Sequence, residues 1–356
     1  MCMLFRIGGG YRRLASAALV QLIQSDVMQT VVVATPLRNS TVSRPYAFGD
    51  GITIQAVSPI LWDVSIVTDY ISKHDREELQ ETRYWLCATR DVESANTESD
   101  ELYDAARQAM YALQIIFPSG CKNVYLKFHK RRDGYDNLGS CHPTNMKTSL
   151  LGRIISAEDL TLARDFDAVY AGVRSAFGEG IVRIQNPILL LEHAMQTGNV
   201  PLCALMCVMG LDMLFMGGQK IPFVERIGGF LGLESYVFPL IQDLDEQPSV
   251  CVKDVLADLY ELRNKLAHGL EIPEQPYRQR YDLVSIRGNV INAGPYSYID
   301  LMFESGLFLL TTALRKIFVE RLFGDVREKD KWKTKMTLYE HRFKESGGVT
   351  ETEKGR

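Results

Sequence analysis

The segment Arg263-Asn264-Lys265-Leu266-Ala267-His268-Gly269 places an arginine, an amide side chain and a histidine within two helical turns. A guanidinium can hold phosphate oxygens and oppose the negative charge that grows on them during cleavage. An imidazole can take the proton of a ribose 2′-hydroxyl or give one to the leaving 5′-oxygen. Asn264 precedes His268 by four residues, so it can share its helix face and orient the imidazole or bind phosphate. Together these residue types predict phosphodiester chemistry.

The run from Ser249 to Gly269 must position these groups, and its pattern predicts an amphipathic helix. Apolar residues recur there at three- and four-residue steps, namely Val252, Val255, Leu256, Leu259, Leu262 and Leu266. Gly269 follows where helices commonly end in a left-handed residue. Arg263 falls within the apolar stripe, so its charge needs a carboxylate or a phosphate. Arg263 and His268 lie about 140° apart on an ideal helix, so a distorted helix end or a second chain must bring them together.

Asp212 is the one charged residue between positions 200 and 219, in a run that is apolar on all sides. Such a helix is expected to be central and its carboxylate to be buried within reach of an arginine, Arg263 or Arg226. A structural ion pair between two helices and a supporting role in an active site both fit this pattern.

Composition limits the classes of function. The chain has 356 residues, 46% hydrophobic and 24% charged, with a net charge of −4. The composition is typical of a soluble protein, and the length is typical of two domains. Because the net charge is negative, any contact with nucleic acid must be made by a local basic patch. Seven cysteines without regular spacing indicate reduced intracellular thiols, and Cys203 and Cys207 are expected in a core. The sequence has no His-x3-His or Cys-x2-Cys pair that would ligate a metal, no phosphate-binding glycine loop and no serine-hydrolase motif. We therefore expect neither a metal nor a cofactor.

The first half is expected to be rich in strands. Tyr46 to Gln55 has the pattern of a hairpin, and alternation predicts strands at Arg83 to Thr89 and Val124 to His129. A helix from Asp100 to Phe117 is predicted between the last two. The densest basic cluster of this half comprises Lys127, His129, Lys130, Arg131 and Arg132. It fits either a solvated strand end or an RNA-backbone contact.

The pattern changes from a period of two to helical spacing near residue 150, which predicts an α+β chain. Residues 1–27 form a poorly defined extension, with Met1 and Met28 both possible starts. A strand-rich mixed domain over 28–150 ends in the linker-like stretch Gly134 to Ser149. An all-α bundle covers 151–325, with helices predicted over 159–177, 186–197, 201–216, 223–233, 249–269 and 298–323. Residues 326–356 are expected to be a charged tail, solvated or a frayed helix.

The motif at residues 263–269, Asp212 in its apolar helix and the strand-rich half before them resemble HEPN-domain proteins, in particular the Apea-like branch. The resemblance covers roughly residues 155–325 well and the first half loosely. It implies a helical bundle, a homodimer with the motif near its interface, and metal-independent RNA cleavage that leaves a 2′,3′-cyclic phosphate. It also implies a cytoplasmic defence or toxin system, in which the antitoxin or regulator is unknown.

Three functions follow as expectations. The first is an endoribonuclease with Arg263, Asn264 and His268 as catalytic residues, supported by Asp212 and Arg226. The alternatives are a non-catalytic RNA- or nucleotide-binding HEPN module and a structural interaction protein. No apolar run is long enough to span a bilayer, so no membrane association is expected.

Overall fold

The structure, a computed structural model, describes residues 29–37, 40–41, 45–56, 84–92, 99–116, 125–131, 134–141, 155–156, 160–197, 199–232, 252–271 and 298–345. Its strands are β1 (Gln29–Leu37), β2 (Ser40–Thr41), β3 (Tyr46–Ala47), β4 (Ile52–Ala56), β5 (Tyr84–Val92), β6 (Tyr125–Arg131), β7 (Gly134–Cys141) and β8 (Ile155–Ser156). Six of them form an antiparallel sheet in the order β3-β4-β5-β1-β6-β7, and β2 pairs with β8 in parallel.

The helices are α1 (Ser99–Ile116), α2 (Leu160–Gly178), α3 (Val182–Gln196), α4 (Val200–Phe215), α5 (Lys220–Leu231), α6 (Val252–Ala267), α7 (Tyr298–Val319), α8 (Phe323–Arg327) and α9 (Lys329–Glu345). Strands precede most of the helices along the chain, which confirms the α+β layout. The predicted hairpin is also confirmed, since Tyr46 pairs with Ile54 and Ala47 with Thr53.

Helix α1 covers one face of the sheet and joins it to the helical half. Val31 and Val33 of β1 belong to the same buried hydrophobic cluster as α1 and the bundle helices. The ring of Phe48, after β3, stacks on that of Phe166 in α2 at a centroid distance of 3.9 Å. The described sheet and helices therefore share one hydrophobic core across the boundary predicted near residue 150.

Two segments differ from the sequence-based predictions. The first part of the expected linker forms β7, an edge strand paired with β6 from Arg131↔Gly134 onwards. The expected charged tail contains α9, which packs against α5 and buries Trp332, Met336 and Phe343. Because these three apolar residues are spaced so that they share one helix face, α9 is part of the core and not a solvated extension.

Helix α4 packs against α3, α6 and α7, as expected for a central helix. Asn199 caps its start, where the Leu202 backbone N–H donates to Asn199 Oδ1 at 3.1 Å. Cys203 and Cys207 are fully buried in the core, as predicted, and form no disulfide among the described residues. Within the described ranges no single helix has the length and apolar composition to cross a membrane; α4 and α5 meet that measure only as a pair bent by 79°.

Gly229 lies where α5 packs tightly against the backbone of α9. A Cβ at this position would lie 2.1 Å from the backbone oxygen of Tyr339 and 2.8 Å from its carbonyl carbon. Gly229→Ala must therefore push the two helices apart, and we expect it to lower the free energy of unfolding by about 1–3 kcal/mol.

Urea unfolding followed by circular dichroism measures this change. Gly178→Ala, at the end of α2, is the matched control because a Cβ there meets nothing within 4 Å. The control should be neutral or stabilising by up to about 1 kcal/mol. Equal stability of the two variants would contradict the close packing of α9 on α5.

Candidate active site

The carboxylate of Asp212 and the guanidinium of Arg263 join the last turns of α4 and α6. Arg263 Nη2 donates to Asp212 Oδ2 at 3.3 Å, which confirms the predicted pairing. The prediction that Asp212 is buried is wrong, because the side chains of Asp212 and Arg263 keep 20% and 27% of their surface exposed. Asp212 lies near the end of α4, where the chain turns toward α5, and this opens the pair to solvent.

The turn between α4 and α5 holds the carboxylate in place. Met216 and Gly218 both have left-handed backbones, with φ of 51° and 59°. This geometry turns the Gly218 N–H back onto Asp212 Oδ1 at 2.8 Å. Asp212 therefore accepts one hydrogen bond from the turn and one from α6, which fixes its orientation toward Arg263.

Tyr260 is a site residue that the sequence analysis missed. Its hydroxyl donates to the Gly218 carbonyl at 3.1 Å, and its ring lies under the Arg263 guanidinium at 5.3 Å. Tyr260 precedes Arg263 by three residues, so helical spacing alone would have placed them side by side. The tyrosine thus links the turn to the arginine and supports the guanidinium plane.

The guanidinium keeps donors free for a further acceptor. Besides Asp212, the described residues offer Arg263 one other hydrogen bond, from Nη1 to Asn264 Oδ1 at 3.4 Å. Both contacts are longer than the usual 2.7–3.2 Å range and are correspondingly weak. Because a guanidinium has five N–H donors, the partly exposed Arg263 can still bind a phosphate.

Asn264 and His268 do not meet through their side chains. The amide oxygen of Asn264 faces the guanidinium, so Asn264 does not orient the imidazole as one prediction proposed; only its backbone oxygen accepts from the His268 N–H, at 3.1 Å. His268 is exposed, and its imidazole forms no hydrogen bond or ion pair within the described part of the chain. The structure thus places Arg263 and Asn264 together and leaves His268 one turn away.

Helix α6 is followed by a left-handed glycine, Gly269, as predicted. Gly269 is left-handed with φ of 65°, its N–H donates to the Leu266 carbonyl at 3.3 Å, and the Leu270 N–H donates to the Lys265 carbonyl at 2.8 Å. These two bonds form a Schellman motif, which satisfies the last carbonyls without any side chain. The imidazole of His268 is therefore not needed to end the helix.

Arg226 does not contact Asp212, in contrast to one of the two predicted pairings. Its Nη1 donates to the carbonyls of Phe215 and Met216, and its Nε donates to Glu340 of α9. The indole of Trp332, also from α9, donates to the Leu214 carbonyl at 2.6 Å. Arg226 and α9 thus satisfy the carbonyls at the end of α4 and support the turn that holds Asp212.

The predicted basic cluster lies in another part of the fold. Lys127, Lys130 and Arg131 belong to β6, whose neighbours in the sheet are β1 and β7. Arg132 and the side chains of the other three lie outside the described residues, as does the extension 1–27. An RNA contact at this strand stays a prediction.

One face of α4 beside Asp212 is apolar and exposed. Leu202, Met209 and Met213, spaced by seven and four residues, keep 39%, 41% and 37% of their surface exposed. This spacing places the three on one stripe of the helix, which we call the α4 stripe. The helix is central through its other faces, as predicted, but the α4 stripe itself faces solvent.

The described residues contain no group of three or more His, Cys, Asp or Glu side chains arranged to hold a metal ion. The arrangement built from α4, α5 and α6 offers a guanidinium with free donors, an amide, a tyrosine and a nearby imidazole.

The chain matches no protein-family model, no curated protein and no solved structure.

Proposed function

We propose that this protein is a metal-independent endoribonuclease of the HEPN type. The observation that carries the proposal is the partly exposed Arg263 guanidinium, which is fixed by Asp212 and Tyr260 and retains free donors. Free donors on a guanidinium that is already held in place can bind phosphate oxygens with little further ordering of the side chain. His268, exposed one turn later, supplies an acid–base group beside the same helix end.

The reaction balances with these groups. The ribose 2′-oxygen attacks phosphorus as its proton passes to an imidazole, and the bond from phosphorus to the 5′-oxygen breaks. The leaving oxygen takes a proton from a second imidazole, which yields a 2′,3′-cyclic phosphate and a free 5′-hydroxyl. Arg263 holds the non-bridging oxygens and opposes their growing charge, and Asn264 contributes a further polar contact.

A second copy of the chain would supply the second imidazole. We propose that two copies pair through the α4 stripe about a twofold axis, so that the same surface faces itself. The stripe suits such a contact because α4 carries a single charge, Asp212, which Arg263 already neutralises. Pairing there would bring two α6 ends near one interface, where Arg263 of one chain and His268 of the other can act together.

We expect Met209→Glu to convert a dimer into a monomer in analytical ultracentrifugation. Two glutamates facing each other near the twofold axis would repel and lose solvent, weakening association by about a hundredfold or more. Leu338→Glu is the matched control, since Leu338 is also exposed, at 55%, but lies on α9. If Met209→Glu and Leu338→Glu sediment alike, the α4 stripe is not the dimer interface.

A non-catalytic RNA-binding module is the second candidate, because free guanidinium donors bind phosphate whether or not cleavage follows. The test incubates the purified chain with labelled single-stranded RNA and a chelator, then measures cleavage and binding at low salt. Cleavage that is lost in His268→Ala supports the ribonuclease. Binding without cleavage in either protein would replace it by the binding module.

A further inference from the structure

Four residues of the candidate active site form a closed ring of contacts across α4, α6 and the turn between α4 and α5. The Tyr260 hydroxyl donates to the Gly218 carbonyl at 3.1 Å, and the Gly218 N–H donates to Asp212 Oδ1 at 2.8 Å. Asp212 Oδ2 accepts from Arg263, whose guanidinium lies over the Tyr260 ring. A change at one member of this ring can therefore reach Arg263 through its neighbours.

Gly218 is the member of the ring that packing does not hold in place. It is exposed, and a Cβ at this position would meet nothing within 4 Å. Within the part of the chain that the structure describes, its hydrogen bonds are those with Asp212 and Tyr260. The position of the Gly218 N–H, and with it the direction of the Asp212 carboxylate, therefore depends on the tyrosine hydroxyl.

The side chain of Tyr260 is fixed by packing. It is 7% exposed, and its ring lies against that of the fully buried Phe223 in α5 at a centroid distance of 5.4 Å. Because the ring is held, its hydroxyl reaches Gly218 from one direction only. Tyr260→Phe would keep the ring, its packing and its contact with the guanidinium, and would remove only the hydrogen bond to the turn.

An arginine also stacks on a tyrosine elsewhere in the structure, but without such a bond. On α9 the guanidinium of Arg342 lies over the Tyr339 ring at 5.6 Å, with the same spacing of three residues. The Tyr339 hydroxyl forms no hydrogen bond with any residue that the structure describes. Stacking alone is therefore an ordinary result of helical spacing, and the hydrogen bond to the turn is what distinguishes Tyr260.

We propose that Tyr260 is a positioning residue, which keeps Arg263 in the orientation that binds phosphate by fixing the turn that holds Asp212. This role, which rests on the proposed function, requires that Arg263 bind a phosphate of the nucleic acid. The hydrogen bond between Arg263 and Asp212 is long, at 3.3 Å, so it cannot fix the guanidinium by itself. Without the tyrosine hydroxyl the turn shifts, and the guanidinium donors no longer meet the phosphate oxygens in the right geometry.

A double-mutant cycle on the full chain tests this role. Wild type, Tyr260→Phe, Arg263→Ala and the double variant are compared for their affinity for a 2′-deoxy single strand, which lacks the attacking hydroxyl. We expect Tyr260→Phe to weaken binding about threefold to tenfold, and no more than Arg263→Ala does, because one hydrogen bond is lost. In the Arg263→Ala background, Tyr260→Phe should cause no further loss, because the tyrosine acts only through the arginine.

Tyr339→Phe is the matched control, since it removes a hydroxyl from the other tyrosine that carries an arginine three residues later. It should bind the strand as the wild type does, and all variants should stay folded by circular dichroism. Equal affinity of wild type and Tyr260→Phe would overturn the positioning role. Equal losses caused by Tyr260→Phe in both backgrounds would also overturn it, because they would indicate a general loosening of the turn.

Cleavage of the matching RNA by the same proteins separates this inference from the proposed function. We expect the rate of Tyr260→Phe to fall about tenfold, because a misplaced phosphate ligand costs up to about a hundredfold. If no protein cleaves RNA while Tyr260→Phe weakens strand binding only in the presence of Arg263, the ribonuclease fails and the positioning role stands. If the wild type cleaves RNA and the two losses in binding are additive, the ribonuclease stands and the positioning role fails. Absence of strand binding by the wild type would contradict both.

Discussion

Replacing Arg263 by alanine is expected to abolish RNA cleavage, with a loss of at least about a hundredfold to a thousandfold in rate. The guanidinium at the end of α6 is fixed by two neighbours, Asp212 and Tyr260, while donors remain free. Stability should fall by only about 1 kcal/mol, because the ion pair with Asp212 is long and partly exposed. Initial rates on labelled RNA and urea unfolding measure the two effects separately.

Two further variants distinguish a catalytic arginine from a structural one. Arg263→Lys keeps the charge and loses the planar fork, so its rate should fall between those of wild type and Arg263→Ala. Asp212→Asn keeps an oxygen for the Gly218 N–H and loses the ion pair, so it should lose stability much as Arg263→Ala does. It should nevertheless retain more cleavage than Arg263→Ala. If Asp212→Asn and Arg263→Ala lost cleavage equally, the arginine would act only through its partner.

His268→Ala is expected to lose about a hundredfold to ten-thousandfold in cleavage rate, the usual contribution of a positioned acid or base. Its free energy of unfolding should not change, because the imidazole is exposed and the Schellman bonds of Gly269 and Leu270 end the helix without it. This combination of a large kinetic effect with no loss of stability is not expected from a residue with a packing role.

His341→Ala provides the matched control for that variant. His341 is also exposed and lies on α9, outside the candidate site. It should cleave RNA at the wild-type rate, and both histidine variants should give the same circular dichroism spectrum. Equal rates for His268→Ala and His341→Ala would remove His268 from the proposed mechanism.

That Asp212 pairs with an arginine could be predicted, because a lone carboxylate in an apolar helix requires a cation. The choice between Arg263 and Arg226 could not, since it depends on α9. In that helix nine of the 17 residues are charged, so the apolar face that contains Trp332 and Phe343 is too sparse to be recognised from the sequence. Because α9 packs on α5, Arg226 forms its salt bridge with Glu340 and not with Asp212.

Local patterns predicted local structure, whereas the pairing of strands far apart in sequence was not predictable from them. The hairpin of β3 and β4 and the left-handed end of α6 at Gly269 depend on nearby residues, and both are present. The position of β1 between β5 and β6 brings together strands far apart in sequence. In the same way, α4 is apolar on every side, so its sequence could not show that Met209 faces solvent.

The most direct test of the proposed ribonuclease is cleavage of one labelled single-stranded RNA by the purified full chain in the presence of a chelator. The same sequence made with 2′-deoxyribose is incubated in parallel. We predict that the RNA is cut to products with a 2′,3′-cyclic phosphate, that the deoxy strand stays intact, and that His268→Ala leaves both intact. Equal cutting of the two strands, or equal cutting of the RNA by wild type and His268→Ala, would contradict the proposed mechanism.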